Sequence, residues 1–248
     1  MKALITGASS GIGRDIARYL SQQGYDLIIV ARRKELLEEL KNELNTNVKI
    51  ECLDISQKEN CKKLFEENPD VDILVNNAGF GDFGEFTETD LDKELSMIDT
   101  NVKALHILTK LYVTEMKRKD HGKILNVASI AGFMSGPLMA TYYATKNYVV
   151  SLSKAINKEL KKDKSAVQVS VLCPGPVNTE FNKVANVQFS LKGLSSEYVA
   201  KYAMDQLEKN KTVIIPGKFM KLVYACQKIS PDFISLEVAY HSQNSKKK

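Results

Sequence analysis

The amino-acid sequence predicts an α/β fold: a doubly wound, seven-stranded parallel sheet with helices on both faces, built as one domain over residues 1–248. Three observations predict it. Short runs rich in Val, Ile and Leu alternate with longer amphipathic stretches along the whole chain. The short runs are apolar at every position rather than at every second one, as strands covered on both faces should be. No linker, low-complexity segment or repeat interrupts the pattern, so nothing marks a domain boundary.

Taken in order, the strands are expected at Ala3–Thr6, Asp26–Val30, Val48–Leu53, Asp72–Val75, Gly122–Val127, Val167–Leu172 and Thr212–Ile215. Ile16 and Leu20, followed by Gln23-Gly24, read as a helix closed by a glycine. Leu36, Leu37, Leu40 and Leu44 recur at helical spacing, as do Leu105, Leu108, Leu111 and Tyr112, and then Tyr148, Leu152, Ile156 and Leu160. Residues 178–194 carry weak periodicity and read as a loop. From Phe219 onward, Leu222, Val223, Cys226, Ile229 and Phe233 repeat with Lys218, Lys221 and Lys228 interleaved, an amphipathic helical pattern.

Composition excludes several classes. Net charge is +5, spread along the chain except for Lys246-Lys247-Lys248, whereas a nucleic-acid binder concentrates its charge on one stripe. Cys52, Cys61, Cys173 and Cys226 form no CxxC pair, and three histidines offer little to a metal, so neither a disulfide framework nor a metal site is expected and a reducing cytoplasm is the expected location. No run of about 18 apolar residues is present to span a membrane, and the apolar start of the chain is too short for a signal peptide.

The first strand runs into Thr6-Gly7-Ala8-Ser9-Ser10-Gly11-Ile12-Gly13, and a helix follows. Glycines here permit a tight turn, close approach of a pyrophosphate and close helix–strand packing, the device of a Rossmann fold. The helix N-terminus adds free N–H groups and partial positive charge. A tight turn without a ligand is the alternative. The second strand ends in Ala31-Arg32-Arg33. An acid at this point binds the ribose 2′-hydroxyl of NAD, whereas an arginine pairs with the 2′-phosphate of NADP. Solvated arginines opening a helix are the alternative. In Tyr142-Tyr143-Ala144-Thr145-Lys146, Tyr142 and Lys146 stand four apart and share one helix face. An ammonium there is expected to lower the phenol toward neutrality and fit it for proton transfer. The same spacing around Tyr143 meets Asn147, which cannot do this. A surface Tyr–Lys pair is the other reading of so short a motif.

The order of motifs settles these choices. Thr6-Gly7-x-x-x-Gly11-x-Gly13, Leu53-Asp54-Ile55, Asn76-Asn77-Ala78-Gly79, Asn101, Ser129, Tyr142-x-x-x-Lys146 and Pro174-Gly175-x-Val177-x-Thr179 occur in sequence, and the chain resembles the single-domain short-chain dehydrogenases/reductases. The resemblance implies hydride transfer between a nicotinamide and a carbonyl or secondary alcohol, with Tyr142 as acid/base and Ser129 hydrogen-bonding the reacting oxygen. It implies that Lys146 holds the nicotinamide ribose and that Asn101 anchors a water relay to Lys146. It assigns Gly7, Ser9, Ser10, Gly11, Ile12 and Gly13 to the cofactor, with Asp54 and Ile55 by the adenine and Asn77-Ala78-Gly79 along the cleft. Pro174, Gly175, Val177 and Thr179 fall beside the nicotinamide. The family's basic residue before the second glycine is absent, since Ser10 stands there, so NADP(H) as cofactor rests mainly on Arg32, with Arg33 in support.

The substrate side is less legible. Phe80, Phe133, Met134, Met139, Pro176 and Phe181 suit either an apolar pocket for a hydrophobic ketone or aldehyde, or core packing. By resemblance, residues 178–194 would hold a lid. The tail is expected to pack on the domain or in an interface rather than on a membrane surface. A homodimer or homotetramer is expected, with helices 100–118 and 142–161 at the contact. Three rival readings remain at this level: an NAD-linked alcohol dehydrogenase, a non-catalytic NADP(H)-binding protein, and a nucleotide-sugar epimerase or dehydratase, for which too little chain follows residue 179.

Overall fold

The computed structural model describes residues 1–181, 185 and 193–244. Seven strands form one sheet: β1 (Lys2–Thr6), β2 (Asp26–Ala31), β3 (Val48–Cys52), β4 (Ile73–Asn76), β5 (Lys123–Val127), β6 (Gln168–Leu172) and β9 (Val213–Ile214). Their order is β3-β2-β1-β4-β5-β6-β9, every neighbouring pair parallel. β7 (Val177–Asn178) and β8 (Leu194–Ser195) make a separate short parallel pair. The interior of the expected lid and Lys246–Lys248 lie outside the described residues.

The unbroken apolar runs are explained by two opposite faces. Ala3, Ile5, Leu27, Ile29 and Val75 point to one side, against α1 (Gly11–Gln22), α2 (Lys34–Glu43) and α7 (Ser196–Glu208). Their sequence neighbours Leu4, Ile28, Val30 and Leu74 point to the other, against α3 (Lys58–Glu67) and α5 (Leu105–Lys119), with Leu160 of α6 (Ala140–Lys162) beside them. Residues of the central strands therefore leave water whichever way they face, and alternation has nothing to signal there. α1 ends as expected: Gly24, at φ +82°, turns the chain while its N–H donates to the Ser21 carbonyl.

Three local features differ from the sequence expectation. α4 (Leu91–Ile98), capped by the Asp90 carboxylate on the Lys93 N–H at 2.7 Å, runs into α5 through a π-helical turn, Asp99–Ala104. The expected helix beginning near residue 100 is thus the later part of a longer one, and Asn101 stands in its widened turn. The buried face of α6 carries Val149, Val150, Ser153 and Asn157, while Tyr148 is exposed. Of the expected stripe, Leu160 is buried and Leu152 and Ile156 pack partly on the core, but Ser153 and Asn157 are also inside, hydrogen-bonded to Asn126 and Thr212, so the inner face is wider and partly polar. The tail forms two helices, α8 (Lys218–Gln227) and α9 (Asp232–Asn244), because Pro231 has no N–H to continue α8.

Tyr112 of α5 ties the outer layer together. It is fully buried, donates to the Asn68 carbonyl at 2.8 Å and meets Phe65 edge-on at 5.0 Å. Burial pushes its phenol above the ordinary value of 10, with the Glu51 charge adding to the effect. Below pH 10 the phenol is neutral in folded and unfolded chains alike; above it only the unfolded chain releases the proton, so stability falls as pH rises. Tyr112→Phe is expected to cost about 1 kcal/mol at pH 7 through the lost hydrogen bond. The gap from wild type in urea midpoint should narrow or invert by pH 10.5; a constant gap would refute this account.

Candidate active site

β1 and β4 are neighbours, but the chain leaves them toward opposite sides of the sheet order, and the glycine turn sits where they part. Thr6 ends β1, and Gly7 follows at φ +66°. A Cβ on Gly7 would lie 2.8 Å from the Ala78 Cα, and one on Gly13 would lie 2.4 Å from Asn77 Nδ2 and 2.6 Å from the Gly7 oxygen. Only glycine fits at either place. Asn77 staples the turn, its Nδ2 donating to the Thr6 and Gly7 carbonyls at 3.0 and 3.1 Å. The N–H groups of Asn77 and Ala78 donate in turn to Thr6 Oγ1.

α1 begins at Gly11 with no side-chain cap on its N–H groups and no acid in its first turn. Such an end suits a phosphate. Thr179, after β7, folds over it: a Cβ on Gly11 would lie 3.0 Å from the Thr179 methyl. At the end of β2, Arg32 is exposed, its Nη1 3.9 Å from Asp54 Oδ2. Arg33 turns inward instead. Its Nη2 is 3.0 Å from Ser9 Oγ, 3.1 Å from Ser10 Oγ and 2.9 Å from Glu180 Oε2. The guanidinium over the glycine turn is thus that of Arg33, where the sequence puts the weight on Arg32.

Tyr142 lies in the first turn of α6 and Lys146 one turn on, its Nζ 5.7 Å from the Tyr142 ring centre. Lys146 donates to the Val127 carbonyl at 3.1 Å. Ser129 follows β5 and caps the short turn Ile130–Phe133, accepting from the Ala131 N–H at 3.2 Å. Asn147 holds that turn against α6 by donating to the Ala131 and Met134 carbonyls. Sequence reasoning missed this role, although Asn147 directly follows the motif. Asn101 is buried between loop and helix: Oδ1 accepts from the Phe80 N–H, and Nδ2 donates to the Phe80 carbonyl and Thr145 Oγ1. A Cβ on Gly79 would lie 2.8 Å from Asn101 Oδ1 and 3.3 Å from Lys146 Nζ, so that glycine makes room for both.

Burial decides the charges. It pushes the Tyr142 phenol up, and the hydrogen bond with Ser129 only partly offsets this. The same desolvation lowers Lys146 to about 8. The expected drop of the phenol toward neutrality is therefore not what the structure has. Desolvation disfavours both charges at once.

One cleft of about 1110 Å³ joins these parts. Of the sequence-expected residues, Gly7, Ser9, Ser10, Gly11, Ile12, Arg32, Arg33, Asp54, Ile55, Asn77, Ala78, Gly79, Ser129, Tyr142, Lys146, Pro174, Gly175, Val177 and Thr179 line it; Gly13 and Asn101 lie behind its wall. Phe80, Met134, Met139, Pro176 and Phe181 also line it, the Phe181 ring 5.4 Å from that of Tyr142. Phe133 instead packs on Tyr224 of α8 at 4.3 Å. The sequence did not signal that Met220, Val223 and Cys226 of α8 and Ile234, Val238 and Ala239 of α9 close the far wall. Among the described residues no three His, Cys, Asp or Glu side chains gather as a metal site, and no helix is long and apolar enough to cross a membrane.

Known proteins share this arrangement. The family model described as short chain dehydrogenase matches residues 1–188. An uncharacterised oxidoreductase of Staphylococcus epidermidis is 35% identical over 182 residues, covering 71% of this chain and 78% of that protein. A 3-oxoacyl-[acyl-carrier-protein] reductase of Rickettsia prowazekii is 35% identical over 187 residues, 74% of this chain and 76% of that one. A solved short-chain dehydrogenase from Sphingobium yanoikuyae, in complex with NADPH, superposes with a TM-score of 0.81 at 28% identity, covering 92% of this chain and 94% of its own. With the strand order, the glycine turn and the Ser129–Tyr142–Lys146 geometry already in place, these matches complete the case: the chain belongs to the short-chain dehydrogenase/reductase family of oxidoreductases.

Proposed function

We propose that this oxidoreductase is an NADPH-dependent carbonyl reductase acting on a hydrophobic ketone or aldehyde. The observation that carries the reading is a buried phenol, Tyr142, held protonated and hydrogen-bonded to Ser129 in the same cleft as the uncapped end of α1. The glycine cradle and the bare helix end fit a dinucleotide pyrophosphate. Arg33, with the Ser9 and Ser10 hydroxyls, fits a 2′-phosphate, and the Sphingobium relative was solved with NADPH. When bound, the cofactor supplies the hydride that reaches the carbonyl carbon.

The chain's own part is positional and protonic. Ser129 Oγ donates a hydrogen bond to the carbonyl oxygen and stabilises the charge that builds there. Tyr142 Oη gives that oxygen its proton, so the product leaves as an alcohol and the phenolate is reprotonated from the side of Lys146. The phenol enters the step protonated, as a general acid must. Lys146 holds the nicotinamide ribose. Both Asn101 Nδ2 hydrogens are committed to Phe80 and Thr145, so the backbone of its π-helical turn is left to anchor the relay water. The apolar wall from α8 and α9 selects for a hydrophobic substrate body.

One observation favours an NAD-linked alcohol dehydrogenase instead: each arginine already faces a carboxylate, Arg32 near Asp54 and Arg33 on Glu180. Binding titrations separate the two. NADPH should bind more tightly than NADH, and Arg33→Ala should cut that preference by about 1.5–3 kcal/mol, the worth of a charge-assisted hydrogen bond. Arg32→Ala should cut it less; equal affinities in wild type would put the NAD-linked reading first. Tyr142→Phe is expected to lower kcat by roughly a hundredfold or more, the usual range for a lost general acid, with NADPH affinity intact. Undiminished turnover would remove Tyr142 from the reaction. Because Lys146 loses its charge as pH rises through about 8, kcat/KM for NADPH should fall above that pH. A flat profile from pH 7 to 9.5 would detach Lys146 from cofactor capture.

A further inference from the structure

Arg33 Nη2 carries two hydrogens and has three acceptors within 3.1 Å: Ser9 Oγ, Ser10 Oγ and Glu180 Oε2. The two hydroxyls belong to the glycine turn. The carboxylate comes from far along the chain, from the segment that follows β7 and crosses the cleft to reach the guanidinium. All four side chains line the same cleft.

A carboxylate and a phosphate present the same face to a guanidinium, since both accept hydrogen bonds and both carry negative charge. Two such anions drawn to one guanidinium repel each other at contact distance, so each weakens the other's hold. The Arg33 and Glu180 side chains are about half exposed, 47% and 52%, so water and salt screen the attraction between them.

On the NADP(H) reading above, we propose that Glu180 is an internal occupant of the Arg33 anion site, which the 2′-phosphate of NADP(H) displaces and NAD(H) does not. Glu180 is then a specificity-determining residue. It lowers the affinity for the phosphorylated cofactor and leaves the unphosphorylated one untouched.

Glu180→Gln removes the charge while keeping size and hydrogen-bonding capacity. Fluorescence titration of wild type, Glu180→Gln and Glu180→Asp with NADPH and with NADH, at one low salt concentration, tests the proposal. Glu180→Gln should tighten NADPH two- to fivefold, the range an exposed ion pair provides, and leave NADH unchanged. Glu180→Asp, which keeps the charge, should stay near wild type. Equal shifts for both cofactors would mean that Glu180 only shapes its loop, and would overturn the proposal, as would weaker NADPH binding in Glu180→Gln. Wild type without a preference for NADPH would sink the NADP(H) reading. In that case a preference appearing in Glu180→Gln would still uphold Glu180 as the competing anion, and no change in the variant would overturn both.

Discussion

The staple made by Asn77 is the interaction on which the rest depends. β1 and β4 lie side by side, yet the chain departs from them in opposite directions, which opens the crevice where such sheets bind ligands. Asn77 closes the bottom of that crevice by bonding the carbonyls of Thr6 and Gly7 across the gap, while Thr6 Oγ1 takes the N–H groups of Asn77 and Ala78 in return. Four hydrogen bonds of about 1 kcal/mol each fix one peptide segment against another. From one side of the staple the glycine turn delivers the bare end of α1. From the other, Ala78-Gly79 leads to Phe80, whose backbone holds Asn101, and Gly79 leaves the space that Asn101 and Lys146 fill.

A second, buried chain of hydrogen bonds fixes the helices that lead to Asn101 and carry Tyr142 and Lys146. Asn76 Nδ2 on β4 donates to Thr109 of α5 and to Asn126 of β5, and Asn126 donates to Ser153 of α6. Polar side chains in a core are costly unless paired, and paired they allow only one register. α5 and α6 are thus keyed to the sheet at one setting each, and the turns bearing Asn101 and Tyr142 inherit that setting. The tuning of Tyr142 and Lys146 follows from the same dryness. One environment raises an acid and lowers a base, so both are pushed toward their uncharged forms.

What the sequence made legible follows from what each signal measures. Seven strands could be located because burial on two faces leaves a continuous apolar run, and Gly24 marked a helix end because its positive φ suits glycine. The inner face of α6 was legible at Leu152, Ile156 and Leu160 but not at Ser153 and Asn157, which are inside and hydrogen-bonded, a state that composition does not encode. Spacing put Lys146 beside Tyr142 but carried no information about water, so the direction of the phenol shift came out reversed. Adjacent arginines at a strand end point different ways, and which one turns inward depends on Ser9, Ser10 and a carboxylate 147 residues away. The far wall of the cleft was hidden because α8 and α9 show their apolar residues to a cavity and to solvent, where a sequence reads only a helix seeking a partner.

The interlocking at the glycine turn has a consequence for how the protein can change over generations. A methyl on Gly13 collides with Asn77, and Asn77 cannot shorten without releasing Thr6 and Gly7, so no single replacement among these positions is neutral. They can drift only together, which makes the cofactor end evolutionarily rigid. The wall from α8 and α9 is built differently: no residue of α8 is fully buried, and Phe219, Leu222, Phe233 and Val238 are mostly exposed. Side chains there that face solvent can be exchanged one at a time, whereas Met220 and Tyr224 pack against Gly175 and Phe133. A lineage built on this chain can therefore reshape the exposed part of that wall by single steps while the glycine turn stays fixed.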